Sequence, residues 1–187
     1  MNMEPKTWII TDTHLGHDKM VEYCGRPANH SELILENLEV ILPGDTLIHL
    51  GDICIGKDAE WHEKLSEILK GVHRILLIGN HDNKSERWYK NHCWDTVADV
   101  LSGNYFGRYV TFSHIPVPNA QNLNIHGHFH NNLHRLQRKE WVTPDEEDRN
   151  MVLLSSMNNN HKLLAIEYTD YKPILLEDFL SNLTKEK

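Results

Sequence analysis

Three apolar runs in this chain end abruptly in polar clusters, and this recurrence limits the available folds more than any other feature. Ile75-Leu76-Leu77-Ile78 stops at Gly79-Asn80-His81-Asp82, Thr46 to Leu50 stops at Gly51-Asp52, and Thr7 to Thr11 stops at Asp12-Thr13-His14. A continuous apolar run of this length reads as a strand buried on both faces, covered by helices. Between the runs lie two amphipathic segments. Ser31 to Leu42 carries Leu33, Ile34, Leu38 and Ile41 at helical spacing, and Asp58 to Leu69 carries Trp61, Leu65, Ile68 and Leu69. Strand, helix, strand, helix, strand is the pattern of a mostly parallel sheet whose ligand crevice lies at the C-terminal strand ends.

The second half changes character. Val97 to Leu101, Phe106 to His114 and Leu123 to His126 are shorter and closer together, which predicts a second, mixed or antiparallel sheet. Met151 to Leu154 and Lys162 to Tyr168 read as closing strands, Tyr171-Lys172-Pro173 as a turn, and Leu176 to Leu183 as a terminal helix. Residues 137–150 are the most polar stretch and read as an exposed loop. Residues 1–187 fit a single domain.

Composition excludes several classes of function. The net charge of −8 disfavours tracking along duplex nucleic acid or an anionic membrane. No apolar run approaches the ~20 residues that span a bilayer, and the N-terminal residues lack the apolar core of a signal peptide, so the expected location is the cytoplasm. Cys24, Cys54 and Cys93 have no metal-binding or disulfide spacing and read as small buried residues. The chain holds 14 histidines against 10 glycines, and histidine is the commonest metal ligand.

Placement gives those histidines meaning. Residues i and i+2 of an extended chain point the same way, so Asp12 converges with His14, and His128 with His130. His114 follows the strand Tyr109 to Ser113, while His49, inside a strand, reads as a hydrogen-bonded core residue. His126 and His134 flank the cluster in supporting positions at most. Asp12, His14, Asp52, Asn80, His114, His128 and His130 form an oxygen and nitrogen donor set without thiolate, which suits Mn²⁺, with Fe, Zn²⁺ or Ni²⁺ as alternatives. Seven donors are too many for one tetrahedral ion and suit two adjacent ones. Asp52 is the natural bridge, because a carboxylate has two oxygens and a charge that offsets the repulsion of two cations.

The order Asp12-x-His14, Gly51-Asp52, Gly79-Asn80-His81-Asp82, His114 and Gly127-His128-x-His130 resembles the calcineurin-like metallophosphoesterase superfamily. The resemblance spans residues 12 to 130. It implies an α/β fold, a four-layer α/β/β/α sandwich of two mixed sheets with a binuclear metal site at the strand ends. It further implies one ion on Asp12, His14, Asp52 and His130, a second on Asp52, Asn80, His114 and His128, His81 as general acid, and Asp82 holding the His81 ring. The expected chemistry is attack of a metal-bridging hydroxide on phosphorus, with His81 protonating the leaving oxygen. The Gly-Asp-x-x-Asp-Arg-Gly block of the protein phosphatases is absent, since Gly51-Asp52 continues as Ile53-Cys54-Ile55-Gly56. A phosphodiesterase acting on a small phosphodiester or nucleotide is therefore expected. A phosphomonoesterase or short-substrate nuclease is the nearest alternative, and a protein-binding scaffold, which would be expected to lack the general-acid His, a remote one. Arg26 and His17 are the nearby candidates for holding a substrate phosphate, and a surface or supporting role fits either equally well.

Overall fold

The computed structural model describes residues 4–131 and 151–185. Its first sheet has the strand order β4-β3-β2-β1-β9. Strands β1 (Thr7–Ile10), β2 (Thr46–His49), β3 (His73–Leu77) and β4 (Thr96–Ala98) run parallel, and β9 (Ile174–Leu175) closes the edge antiparallel to β1. The second sheet has the order β5-β6-β7-β8, made of Val100–Tyr105, Arg108–Ser113, Leu123–His126 and His161–Leu163. Only its β5–β6 pair is antiparallel, so it too is mixed.

The apolar runs are continuous because both faces of the first sheet are covered. Ile9, Ile48, Ile75 and Leu77 face Val110, Phe112 and Ile125 of the second sheet. The neighbouring positions Trp8, Ile10, Leu47 and Leu76 pack under Ile34 and Leu38 of α2 (His30–Leu38), Leu65 of α3 (Asp58–Ile68) and Tyr89 of α4 (Glu86–His92). Burying each such side chain contributes roughly 1.5–3 kcal/mol. The remaining helices are α1 (Met20–Cys24), α5 (151–155) and α6 (Leu176–Lys185). Cys24, Cys54 and Cys93 are buried, as their spacing suggests.

Several boundaries differ from the sequence reading, each for a local reason. Helix α2 ends at Leu38 rather than Leu42. Pro43 disfavours helical geometry at residue 42, and the Asp45 carboxylate instead collects the Leu42 and Lys6 amides and the Trp8 indole N–H. The predicted strand Val97 to Leu101 is split between sheets, β4 going to the first and β5 to the second. The predicted strand Met151 to Leu154 is helical. A four-residue apolar run does not distinguish the two forms, and Met151 and Val152 are exposed, so no sheet position is needed to cover them. Lys162 to Tyr168 is a short strand followed by a 3-10 turn, Ile166–Tyr168. His134 and the acidic stretch 137–150 lie outside the described residues.

Register brings the polar strand ends together. Ile10 pairs with His49 and His49 with Leu76, so β1, β2 and β3 finish side by side. Beyond the strands the loops stay bonded: the Asp12 N–H donates to Gly51 O at 2.9 Å and the His14 N–H to Asp52 O at 3.0 Å. In the second sheet Ser113 pairs with His126, and the Gly127 N–H donates to His114 O at 3.1 Å.

Candidate metal centre

Two glycines let the strand-end loops close up. A Cβ on Gly79 would strike the Asp52 carboxylate, and one on Gly127 would strike Thr11 Oγ1 and Asp12 Oδ2. Each glycine lets a neighbouring loop seat against an aspartate. Five of the seven predicted donor residues hold left-handed backbone, namely Asp12 (φ 49°), His14 (44°), Asp52 (57°), His128 (73°) and His130 (50°). Such non-glycine conformations are costly and concentrate at functional sites.

The side chains fall into two neighbouring groups. Asn80 Oδ1 lies 3.0 Å from His114 Nε2 and 2.9 Å from His128 Nδ1. Asp52 Oδ2 lies 3.3 Å from that same His114 Nε2 and 3.5 Å from His14 Nε2. On the other side, His130 Nε2 is 3.6 Å from Asp12 Oδ1, and the His130 ring stacks on His14 with centroids 5.1 Å apart. Asp12 Oδ2 is taken by the Thr11 hydroxyl and the His128 N–H.

These residues fit a divalent metal. Asp12 Oδ1 and both ring nitrogens of His14 are buried without a hydrogen-bond partner, which is costly for groups of this kind unless something else binds them. Potential ligand atoms of Asp12, His14 and His130 lie within 4.8 Å of one another, as do those of Asp12, Asp52 and His114. Donors separated by 2.9–3.6 Å match neighbouring ligands around an ion at bonds of roughly 2.0–2.2 Å. A third cluster, Cys24, His130 and Glu167, already contains the charge of Arg26, so a further cation there would be repelled.

The charges reinforce one another. Burial alone would raise the Asp52 carboxyl, but the hydrogen bond and charge of His114, then the charge of His14, outweigh it and hold it well below the carboxylate range. Burial would lower His114; Asp12 and then Asp52 outweigh it and raise His114 to about 9. Burial takes His14 well below its usual value.

Four predicted residues need separate treatment. Asp82 does not hold the His81 ring. Its Oδ2 accepts the Asp52 and Gly79 N–H groups, both at 2.8 Å, and its Oδ1 the Ile53 N–H at 3.1 Å, so it ties two strand-end loops together. Arg26 is not free for substrate. It is 2% exposed, and its guanidinium donates to Thr13 O, Asp12 O and Glu167. His17 does stand beside the centre, half-buried, its ring 5.9 Å from that of His14. His81 is exposed, with its ring edge-on to His14 at 5.4 Å and its N–H donating to Asp52 Oδ1 at 2.8 Å.

His49 is the bonded core residue its position suggested. The Gly51 N–H donates to its Nδ1 at 3.1 Å, so Nε2 carries the hydrogen and donates to Thr13 Oγ1 at 2.9 Å. His126 is buried, with Nδ1 3.0 Å from Gly127 O. Glu167 was missed by the sequence reading. Burial would raise its carboxyl, but the hydrogen bond from His130 and the Arg26 charge hold it at about 2. The signal was present, since Leu163 to Ile166 is another apolar run ending in a carboxylate.

The family model for calcineurin-like phosphoesterases matches residues 5–179. The chain belongs to that family. This calcineurin-like phosphoesterase is 26% identical to an uncharacterized protein of Methanocaldococcus jannaschii over 97% of its own length and 93% of the relative's. It is similar in fold to a protein of unknown function from Aquifex aeolicus, with TM-score 0.66, 22% identity and coverage of 96% and 99% of the two chains. A weaker likeness, TM-score 0.45 at 20% identity, covers 66% of this chain and 61% of a nuclease from Pseudomonas putida. The family depends on divalent metal, and this member has the His and Asp clusters to hold it. Among the described residues no helix is long and apolar enough to cross a membrane.

Proposed function

We propose that this phosphoesterase is a phosphodiesterase for a small phosphodiester or nucleotide, acting in the cytoplasm at a centre for two divalent cations, Mn²⁺ first among them. The observation that carries the reading is the position of Asp52 Oδ2 between His14 Nε2 and His114 Nε2, at 3.5 and 3.3 Å. One ion would take Asp12, His14, Asp52 and His130, and the other Asp52, Asn80, His114 and His128. When bound, the ions would supply an acidified water as nucleophile and positive charge for the phosphoryl oxygens.

The protein's own groups do the rest. His81 combines an exposed imidazole with a backbone anchored to Asp52, so it can pass a proton to the leaving oxygen, typically worth ~10²–10⁴-fold in rate. Burial, then the neighbouring His81, lowers the His17 pKa. His17 is therefore neutral near pH 7 and offers substrate a hydrogen bond rather than a charge. Arg26 is committed elsewhere, and a singly charged diester asks for less positive charge than a dianionic monoester. The chain's acidity, −8, is unsuited to a duplex.

The test is hydrolysis of bis-p-nitrophenyl phosphate, p-nitrophenyl phosphate and single-stranded DNA by metal-stripped and Mn²⁺-reloaded protein. The diester should turn over fastest, and only after reloading. A faster monoester or DNA reaction would replace the diesterase assignment with that of a monoesterase or short-substrate nuclease. No hydrolysis of any phosphoester would sink the proposal and favour a protein-binding scaffold.

A further inference from the structure

Glu167 lies beyond every motif the sequence displays, yet its side chain is 3% exposed and reaches the metal centre. Its Oε1 is 3.3 Å from His130 Nδ1 and accepts Arg26 Nε at 2.9 Å and Arg26 Nη2 at 2.6 Å. Arg26 Nη2 also lies 3.4 Å from His130 Nδ1, so the imidazole has two neighbours of opposite kind. Hydrogen counting decides between them. Arg26 Nη2 has two hydrogens, spent on Glu167 Oε1 and on Asp12 O at 2.7 Å, and a guanidinium accepts nothing. Glu167 accepts only. Nδ1 of His130 therefore carries the hydrogen and donates to Glu167. That leaves the Nε2 lone pair on the side of Asp12 Oδ1, 3.6 Å away and itself without a hydrogen-bond partner.

We infer that Glu167 is a positioning residue for one of the two metal sites, fixing the tautomer and orientation of His130 while Arg26 holds Glu167 against the Asp12–Thr13 backbone. Carboxylate, histidine and metal in line is an arrangement that raises the basicity of the ligand nitrogen. The other site has a different support, since His114 Nδ1 donates to the Leu50 carbonyl at 2.8 Å. Removing the Glu167 charge therefore weakens one site and leaves the other intact. This rests on the metal-centre reading proposed above.

The experiment is calorimetric titration of the metal-stripped full chain with Mn²⁺, comparing wild type with Glu167→Gln. Wild type should take two ions. In the variant one affinity should fall ~10–100-fold, the range found for such outer partners, while the other is unchanged. Two unchanged affinities, or two that fall together, would overturn the role of Glu167 and leave the metal reading standing. A wild type that takes up no ion would overturn both. Because the variant leaves a buried Arg26 less well paired and could misfold, ¹⁵N NMR of the histidine rings in metal-free wild type at pH 8 gives a second test. His130 should be protonated at Nδ1, and protonation at Nε2 would overturn the inference.

Discussion

His114 Nε2 stands 3.3 Å from Asp52 Oδ2, and both atoms belong to the donor set that would hold a metal. Without metal, Asp12 and Asp52 outweigh burial and raise His114 to about 9. A group raised above its unfolded value near 6.5 stabilises the metal-free fold below that value, and the benefit is lost as pH rises through about 9. Metal must displace the His114 proton. Mn²⁺ uptake at pH 7.5 should therefore release close to one proton from His114, and affinity should climb with pH toward 9. Titrations in two buffers of different ionisation enthalpy measure this. Identical heats in both would show that the proton is absent.

His81→Ala should keep both ions and lose turnover on the best substrate by ~10²–10⁴-fold. Among the described residues the His81 ring touches the centre through an edge contact with His14, so metal content by elemental analysis should not move. Full activity with metals retained would remove His81 from the chemistry.

Asp82→Asn should do the opposite. Its carboxylate gathers three backbone N–H groups, and the amide nitrogen of Asn cannot accept from any of them. At least one buried donor loses its partner, at a cost of ~1–3 kcal/mol, and the Asp52 loop shifts. The thermal midpoint and the Mn²⁺ affinity should both fall. A variant that melts and binds metal like wild type but turns over slowly would restore Asp82 to the support of His81.

His49 predicts an acid limb. Burial, with His114 adding to it, lowers its pKa to about 3. The ring contributes fully above the unfolded value near 6.5, and stability declines as pH falls from there toward 3. Across that window the slope is at most about 1.4 kcal/mol per pH unit. Urea melts of metal-free protein between pH 7 and 4 should show the decline, and His49→Gln should flatten it. An equal slope in the variant would assign it to other groups.

Much of this was legible in the sequence because strand ends are a local signal. Gly51-Asp52 and Gly79-Asn80 each mark a buried strand stopping at a crevice, and the register of parallel strands then aligns them. What stayed hidden depends on contacts between distant residues. Between substrate ligand and supporting residue the sequence left Arg26 open, because nothing nearby in sequence shows that a carboxylate 141 residues later claims it. The family resemblance implied a partnership of Asp82 with His81, and the loop amides took Asp82 instead. The run Met151 to Leu154 lacked the length to separate strand from helix.

The bond between Arg26 and Glu167 also bears on when the protein becomes competent during synthesis. Strands β1 to β3 and their helices can assemble early, but His130 lacks its tautomer lock until residue 167 has emerged and folded back. In the two-ion reading proposed above, a nascent chain that had already made every motif would still offer a lopsided cage, secure around one ion and slack around the other. On this reading, full metal acquisition would wait until Glu167 has been made and has folded back onto His130 and Arg26.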